Sequence, residues 1–522
     1  MGMVAPQQRI ASAFVVFCGS YGAVLEHARQ RGVCRQWVYR EAAWVDARVQ
    51  GTIWQAKIDR LQQDQAVLRQ RLAELEKRQA HTVILDEDKQ AELACVAQAI
   101  GVSLSEVHTL LQVLLPEHTP SVATLGRWTK EAGVKAGKLL AVADEHVQPL
   151  VKQAVADEIY VKRPALMVVE PESLCWVQGR LVERVDGVTW ASEFGKLANL
   201  EQVTRDAGSA LAKGVAECQR QRQEAGKAPL ADQLDHFHTL REGSWAVGRS
   251  ARAVKRALAA VDKIEADQAQ RQKHGQALTG CSQRLRPRWA KATQAMEVWE
   301  EQSRLWQKTQ GALAVFTPEG ELNTRARAEA ILAETLPQLP DTEWGTAKRM
   351  LQQPQTLTYL DEIHRKLEAL PVPAEVRRAA VREEGLRRHP DLLQGPSVQA
   401  AALRGVLLAG AVVLAKIGEM GPWTRIAVRG ILRSSWRASS LVECINSVLR
   451  MHQARHRKMS QGLLDLKRLY WNCHPFRTGR RRGTSPYQRL GMPWPEGLRW
   501  WDLLKWPPEQ LRDKLSTVKM AA

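Results

Sequence analysis

Short β-prone runs gather in one stretch of this 522-residue chain, and helical patterning fills most of the rest. Ile159-Tyr160-Val161, Ala165–Val169, Leu174–Val177 and Gln202-Val203-Thr204 are rich in β-branched and aromatic residues and are split by proline and charge. A helix is expected around Trp190–Leu200, and another opens at Ala207-Gly208-Ser209. A few strands of this length need a sheet covered by helices to bury their apolar side. The sequence therefore predicts a predominantly α chain built around one mixed α/β core.

Upstream of that core, residues 12–45 pattern as helices. Gly32 supplies a turn, and Val33–Arg40 begins the next helix with Arg35 and Arg40 upon it. This is the layout of a helix-turn-helix that places its second helix in a DNA groove, although any αα-hairpin shares it. Trp54, Ile58, Leu61, Gln65, Leu68, Leu72 and Leu75 then alternate by four and three residues. Such a heptad run suits a short coiled coil, within the chain or between protomers, or packing on a neighbouring helix. Ser103 and the Pro120-Ser121 pair read as helix caps, so a second helix-turn-helix carrying Arg127 is expected near residues 88–133.

Composition narrows the partner. Hydrophobic residues make up 44% of the chain, enough for a sizeable core, while 75 Lys+Arg against 56 Asp+Glu leave a net charge of +19. That excess draws polyanions through counterion release. The most apolar stretch, Ala400–Ile417, is interrupted by Arg404 and Lys416 and reads as a buried helix, not a membrane span. Met1–Ile10 lacks the features of a signal peptide, and eight scattered cysteines form no C-x-x-C pair, so a reducing cytoplasm is expected.

Three carboxylates could carry chemistry. Asp157 opens the first β-prone run, and Asp206 closes the fourth just before Ala207-Gly208-Ser209. An Asp at such a place is also a common helix cap or turn residue. Glu443 lies in Ser439–Arg450, whose Leu441, Ile445, Val448 and Leu449 form an apolar face, with Asn446 one turn beyond Glu443. The basic residues Arg450, His452, Arg455, His456, Arg457 and Lys458 follow, a setting in which phosphate and metal could meet.

These blocks resemble the catalytic blocks of bacterial insertion-sequence DDE transposases, which share an RNase H-like fold. Asp157 in DEIY, Asp206 in TRDAGSAL and Glu443 in SSLVECINSVLR match the family's Asp, Asp and Glu; the segments HRKMSQGLLDLKRLYWNCHPFR and TSPYQRLG resemble its sequel. Asp186 and Glu170 remain alternatives to Asp157. Asp235-His236-Phe237-His238 resembles an Asp-x-x-His signature seen in members with a helical insertion, which the long gap between Asp206 and Glu443 also implies.

The resemblance implies a helix-turn-helix at 1–50, a coiled-coil or helical linker at 51–82 and a second helical DNA-binding region at 83–150. It further implies a split core at 151–240 and 421–492, an all-α insertion at 241–420 and a C-terminal tail at 493–522. Asp157, Asp206 and Glu443 would hold Mg²⁺, or Mn²⁺ in its place, with His238 orienting a phosphate or donating a proton. Arg455, Arg457, Lys458, Arg480, Arg481 and Arg482 would bind backbone phosphates. The implied activity is cleavage of double-stranded DNA at transposon ends followed by strand transfer, by a homodimer or larger oligomer in the cytoplasm at the nucleoid. A regulatory DNA-binding protein without catalysis, a related nuclease that never joins strands and a helical RNA-bound scaffold are the rival readings.

Overall fold

The computed structural model describes residues 5–49, 53–80, 84–387, 398–455, 459–495 and 497–519. The chain forms two compact units, Met1–Lys89 and Gln90–Ala522. The first begins with three helices, Pro6–Cys18, Ala23–Gln30 and Arg35–Val49. Gly32, at φ +64, makes the turn before the third helix. One buried carboxylate ties the three together. Glu41 accepts from Ser12 at 2.6 Å, from Trp37 Nε1 at 2.9 Å and from Arg31 at 2.5 Å. Burial alone would raise its pKa, but these donors bring it down to about 2. Arg35 and Arg40 point to solvent on the third helix. The Ile53–Ala80 helix follows, and its heptad seam is open: Ile58, Leu61, Leu68 and Leu72 are 40%, 60%, 64% and 59% exposed.

The second unit is mostly helical around a single five-stranded mixed sheet. β1 (Gln153–Val161), β2 (Arg163–Glu170) and β3 (Cys175–Leu181) form an antiparallel meander, with a tight β1–β2 turn at Lys162. β4 (Gln202–Arg205) runs parallel to β1, and β5 (Ala231–Leu234) runs parallel to β4, giving the order β3-β2-β1-β4-β5. The sequence pattern does not predict β5. Its four residues, Ala-Asp-Gln-Leu, carry little β propensity, and tertiary bonds hold it instead. Buried Gln233 accepts from the Tyr359 N–H at 2.7 Å and donates to the Thr356 carbonyl at 3.2 Å.

Because strand side chains alternate, β1 feeds two cores. Ala154 and Ala156 join Leu166, Val168, Cys175, Val177 and Val203 under the Val122–Val147, Gly187–Gly195 and Ser209–Glu224 helices. Val155, Ile159 and Val161 join Met167, Val169 and Trp176 on the opposite face, covered by Val442, Ile445 and Leu449 of the Ser440–Arg455 helix. Asp157 therefore faces that helix. The expected Ser103 and Ser121 caps are both present, Ser103 in a reciprocal capping box with Glu106.

The Val122–Val147 and Gln461–Cys473 helices cross with their backbones almost touching, since a Cβ on Gly133 would lie 2.6 Å from the Gly462 carbonyl oxygen. The segment read as a C-terminal tail is part of the core: Trp500, Trp501, Leu503, Leu504, Leu511 and Leu515 are buried against it.

Between β5 and the Ser440–Arg455 helix, helices from His236–Lys273 to Met420–Arg433 gather around their own core, which includes Trp306, Trp344, Tyr359 and Leu360. The Ala400–Ile417 expectation needs correcting. The Val398–Ala415 helix buries Ala400 and Leu414, whereas Leu408 and Val412 are exposed. Its Ala- and Gly-rich sequence packs closely along one side only. Among the described residues, no helix is long and apolar enough to cross a membrane.

Candidate active site

β1 and β4 deliver two carboxylates to one edge of the second core. Ala156 pairs with Arg205, so Asp157 and Asp206 are the next residues along two parallel neighbours. Asp157 is buried on β1; Asp206 is half-buried where β4 ends. An Asx turn fixes Asp206, whose Oδ1 accepts from the Gly208 N–H at 2.8 Å. Gly208 permits that approach, because a Cβ there would sit 2.8 Å from the same oxygen.

The Ser440–Arg455 helix brings in the third carboxylate. Val442, Ile445, Asn446 and Leu449 are its buried positions among the described residues, at the helical spacing. The buried stripe thus lies one position around from the expected Leu441/Val448 face, because Asn446 turns inward and donates to Asp157 Oδ2 at 2.6 Å. Asn446 Oδ1 is buried without a hydrogen-bond partner. Glu443, 18% exposed, flanks this stripe and pairs with Arg450 at 2.7 Å.

Electrostatics tie the cluster together. Burial pushes the Asp157 carboxyl up to about 6; the Glu158 N–H lowers it, while the charges of Asp206 and Glu443 raise it further. Glu158 is also shifted upward, by burial and by Asp206, against the bond it accepts from Trp190 Nε1 at 2.8 Å. Like charges held together in a partly dry pocket are unfavourable unless a cation or proton joins them. The oxygen-only donors of Asp157, Asp206 and Glu443 suit a hard divalent cation. Among the described residues, no three His, Cys, Asp or Glu side chains already converge on one point in a metal-binding arrangement. Glu443 is instead turned to Arg450.

Asp235 follows β5 and caps the His236–Lys273 helix through the Phe237 and His238 N–H groups at 2.8 and 3.1 Å. It also accepts from the Ser439 N–H and Oγ, both at 2.7 Å, at the entrance of the Glu443 helix. Burial disfavours its ionised form, but His238, Ser439 and Phe237 hold its pKa below the ordinary value. The His238 ring bonds to Asp235, which raises the imidazole pKa. The negative charge of Asp157 also favours the protonated His238 ring, and the His238 charge favours the Asp157 carboxylate.

The Ser439 contact was not legible in the sequence, although a serine just before a helix start is a recognisable capping signal. The two alternatives to Asp157 have turn roles. Asp186 caps the Gly187–Gly195 helix, and Glu170 accepts from the Glu172 and Ser173 N–H groups after β2.

The expected cationic residues are dispersed. Arg127, Arg480 and Arg482 are exposed. Arg481 is half-buried and donates to the Glu172 and Pro171 carbonyls at 3.0 and 3.2 Å, which fixes the turn after β2 and occupies the guanidinium expected to meet phosphate. The Arg455 side chain, Arg457 and Lys458 lie outside the described residues. Comparison of the chain with protein-family models, with curated proteins and with solved structures gives no match.

Proposed function

We propose that the chain is a DNA transposase of the DDE type, with an RNase H-like core split by the helical block between β5 and the Ser440–Arg455 helix. The observation that carries this reading is the carboxylate cluster. One aspartate stands on β1 and another directly follows its parallel neighbour β4, and a glutamate comes from a helix more than two hundred residues later that packs over the β1 face. The strand order β3-β2-β1-β4-β5 supports the core assignment, and the basic balance of the chain supports a DNA substrate.

In this reading Asp157, Asp206 and Glu443 would hold Mg²⁺ or Mn²⁺, Glu443 exchanging Arg450 for the cation. When bound, the metal would supply an activated oxygen nucleophile and stabilise the leaving oxygen at phosphorus. The protein's own part is placement. β1 and the Asx turn after β4 fix two carboxylates, Asn446 orients Asp157, and Asp235 binds the entrance of the helix that carries Glu443. His238, with its ring bonded to Asp235, would bind a scissile phosphate or donate to the leaving oxygen. Arg35, Arg40, Arg127, Arg480 and Arg482 are, among the described residues expected to bind DNA, the exposed cations for the duplex; the three-helix N-terminal region reads terminal sequence as a helix-turn-helix, and two ends are paired by an oligomer in the cytoplasm at the nucleoid.

The Glu443–Arg450 pair favours a second reading, a DNA-binding protein without catalysis, in which Arg450 permanently neutralises Glu443. Cleavage of DNA bearing the encoding element's own ends separates the two, comparing wild type with Glu443→Gln in Mg²⁺. Transposase action is expected to give nicking by wild type and equal binding without nicking by the variant. Equal cutting by both places the third carboxylate elsewhere. Binding without cutting by either makes the non-catalytic reading the better one.

A further inference from the structure

We propose that the Ile53–Ala80 helix is the dimerisation element of this protein, pairing with the same helix of a second copy as a parallel, in-register two-stranded coiled coil. This does not depend on the transposase reading. At about 1.5 Å per residue, its 28 residues span roughly 42 Å, or four heptads. Ile58, Gln65 and Leu72 take the a positions; Leu61 and Leu68 take d. Four of these side chains, Ile58, Leu61, Leu68 and Leu72, are at least 40% exposed in the protomer, so an apolar seam is open along one side of the helix. Ile58, the β-branched a residue among the three, with Leu61 and Leu68 at d, favours two strands.

Charge and polarity choose the occupant and its direction. In a parallel pair, each g residue faces the e residue five places on in the partner. Asp64 at g then meets Arg69 at e, on both sides of the pair. By heptad count in the sequence, Arg71 at g meets Glu76 at e in the next turn. Both combinations are attractive, which makes a second copy complementary to the first. Gln65 supplies the register. In the parallel, in-register arrangement it sits opposite its own copy and the two amides can bond to each other; in an antiparallel arrangement it faces a leucine layer with no partner.

The test is the mass of the full chain in solution by sedimentation, without DNA, so its outcome is independent of any cleavage result. Wild type is expected at twice the 58.6 kDa chain mass. The double variant Leu61→Asp/Leu68→Asp should weaken association by at least about 100-fold, the scale set by placing charges in an apolar seam. Its far-UV circular dichroism should stay close to wild type, because both residues are exposed in the protomer.

Asp64→Arg should weaken association several-fold, and adding Arg69→Asp should restore it. On mild oxidation, Gln65→Cys should give a disulfide that joins the introduced thiols of the two copies, identified by peptide mapping. A monomeric wild type at micromolar concentration, or unchanged association in the leucine variant, overturns the proposal. A Gln65→Cys dimer that forms no such disulfide overturns the parallel, in-register arrangement.

Discussion

Asp157→Asn should abolish cleavage and stabilise the metal-free protein. Asp157 is 7% exposed, and its carboxyl is raised from the ordinary 3.8 to about 6. At about 1.4 kcal/mol per pH unit, that difference makes the ionised form cost roughly 3 kcal/mol of folding stability. The sign follows from the direction of the shift. The folded state prefers the protonated acid, so the stabilising contribution is fully present below pH 3.8 and is lost as pH rises through about 6. Asparagine has no charge to bury. It can keep accepting from the Glu158 N–H, and once the Asn446 amide turns over its own NH2 can donate to Asn446 Oδ1, which has no partner now, in place of the bond Asn446 donates to Asp157.

Above pH 6, the variant should therefore gain up to roughly 3 kcal/mol in metal-free buffer, seen as a melting temperature a few degrees higher. Below pH 3.8 the gain should vanish. Excess Mg²⁺ should narrow the gap, because a cation at the cluster stabilises the wild-type carboxylate alone. Thermal unfolding across pH, with and without Mg²⁺, gives the comparison. A variant less stable than wild type above pH 6, or a gain independent of pH, would refute the account of Asp157 as a destabilising charge retained for its chemistry.

Asp235→Asn should lower the imidazole pKa of His238, read by NMR titration, because Asp235 is the main group holding it above 6.5. A raised histidine pKa stabilises the fold fully below 6.5 and stops doing so as pH rises through the folded value, so the variant should lose more stability between pH 3.8 and 6.5, where the Asp235 carboxylate and the charged His238 ring coexist, than under alkaline conditions. Gly133→Ala should destabilise by about 1–3 kcal/mol in denaturant titrations, since its methyl would meet the Gly462 backbone and not a movable side chain; a neutral result would mean that the two helices can separate freely.

The sequence revealed those parts of the site whose signals are local. β1 and β4 announce themselves through β-branched runs, so Asp157 and Asp206 could be placed at strand positions, and Glu443 rode on an amphipathic helix. What escaped detection depends on distant partners. β5 is four residues of little β propensity, two of them polar, held by Thr356 and Tyr359 of the helical block. The buried stripe of the Glu443 helix includes Asn446, a polar residue that a hydrophobic pattern excludes and that Asp157 draws inward. Arg481 looked like one of three equivalent cations until the carbonyls after β2 claimed it. Trp500 and Trp501 sat in a Trp- and Pro-rich segment whose apolar surface is buried in a core shared with the Gln461–Cys473 helix, where Trp500 meets Tyr470 edge-on at 5.2 Å, and with the Val122–Val147 helix far earlier in the chain.

The bonds from Ser439 to Asp235 join residues 204 positions apart, and the His236 N–H reaches the Arg437 carbonyl at 2.8 Å beside them. The helical block therefore leaves and re-enters the sheet through a single clasp. Closing a loop costs only about 0.6 kcal/mol more for each doubling of its length, so extending a hairpin of a dozen residues to this size adds roughly 2–3 kcal/mol. A lineage could lengthen or trim the parts of the block that lie away from Thr356 and Tyr359, which hold β5, at little entropic expense while Glu443 kept its address over β1.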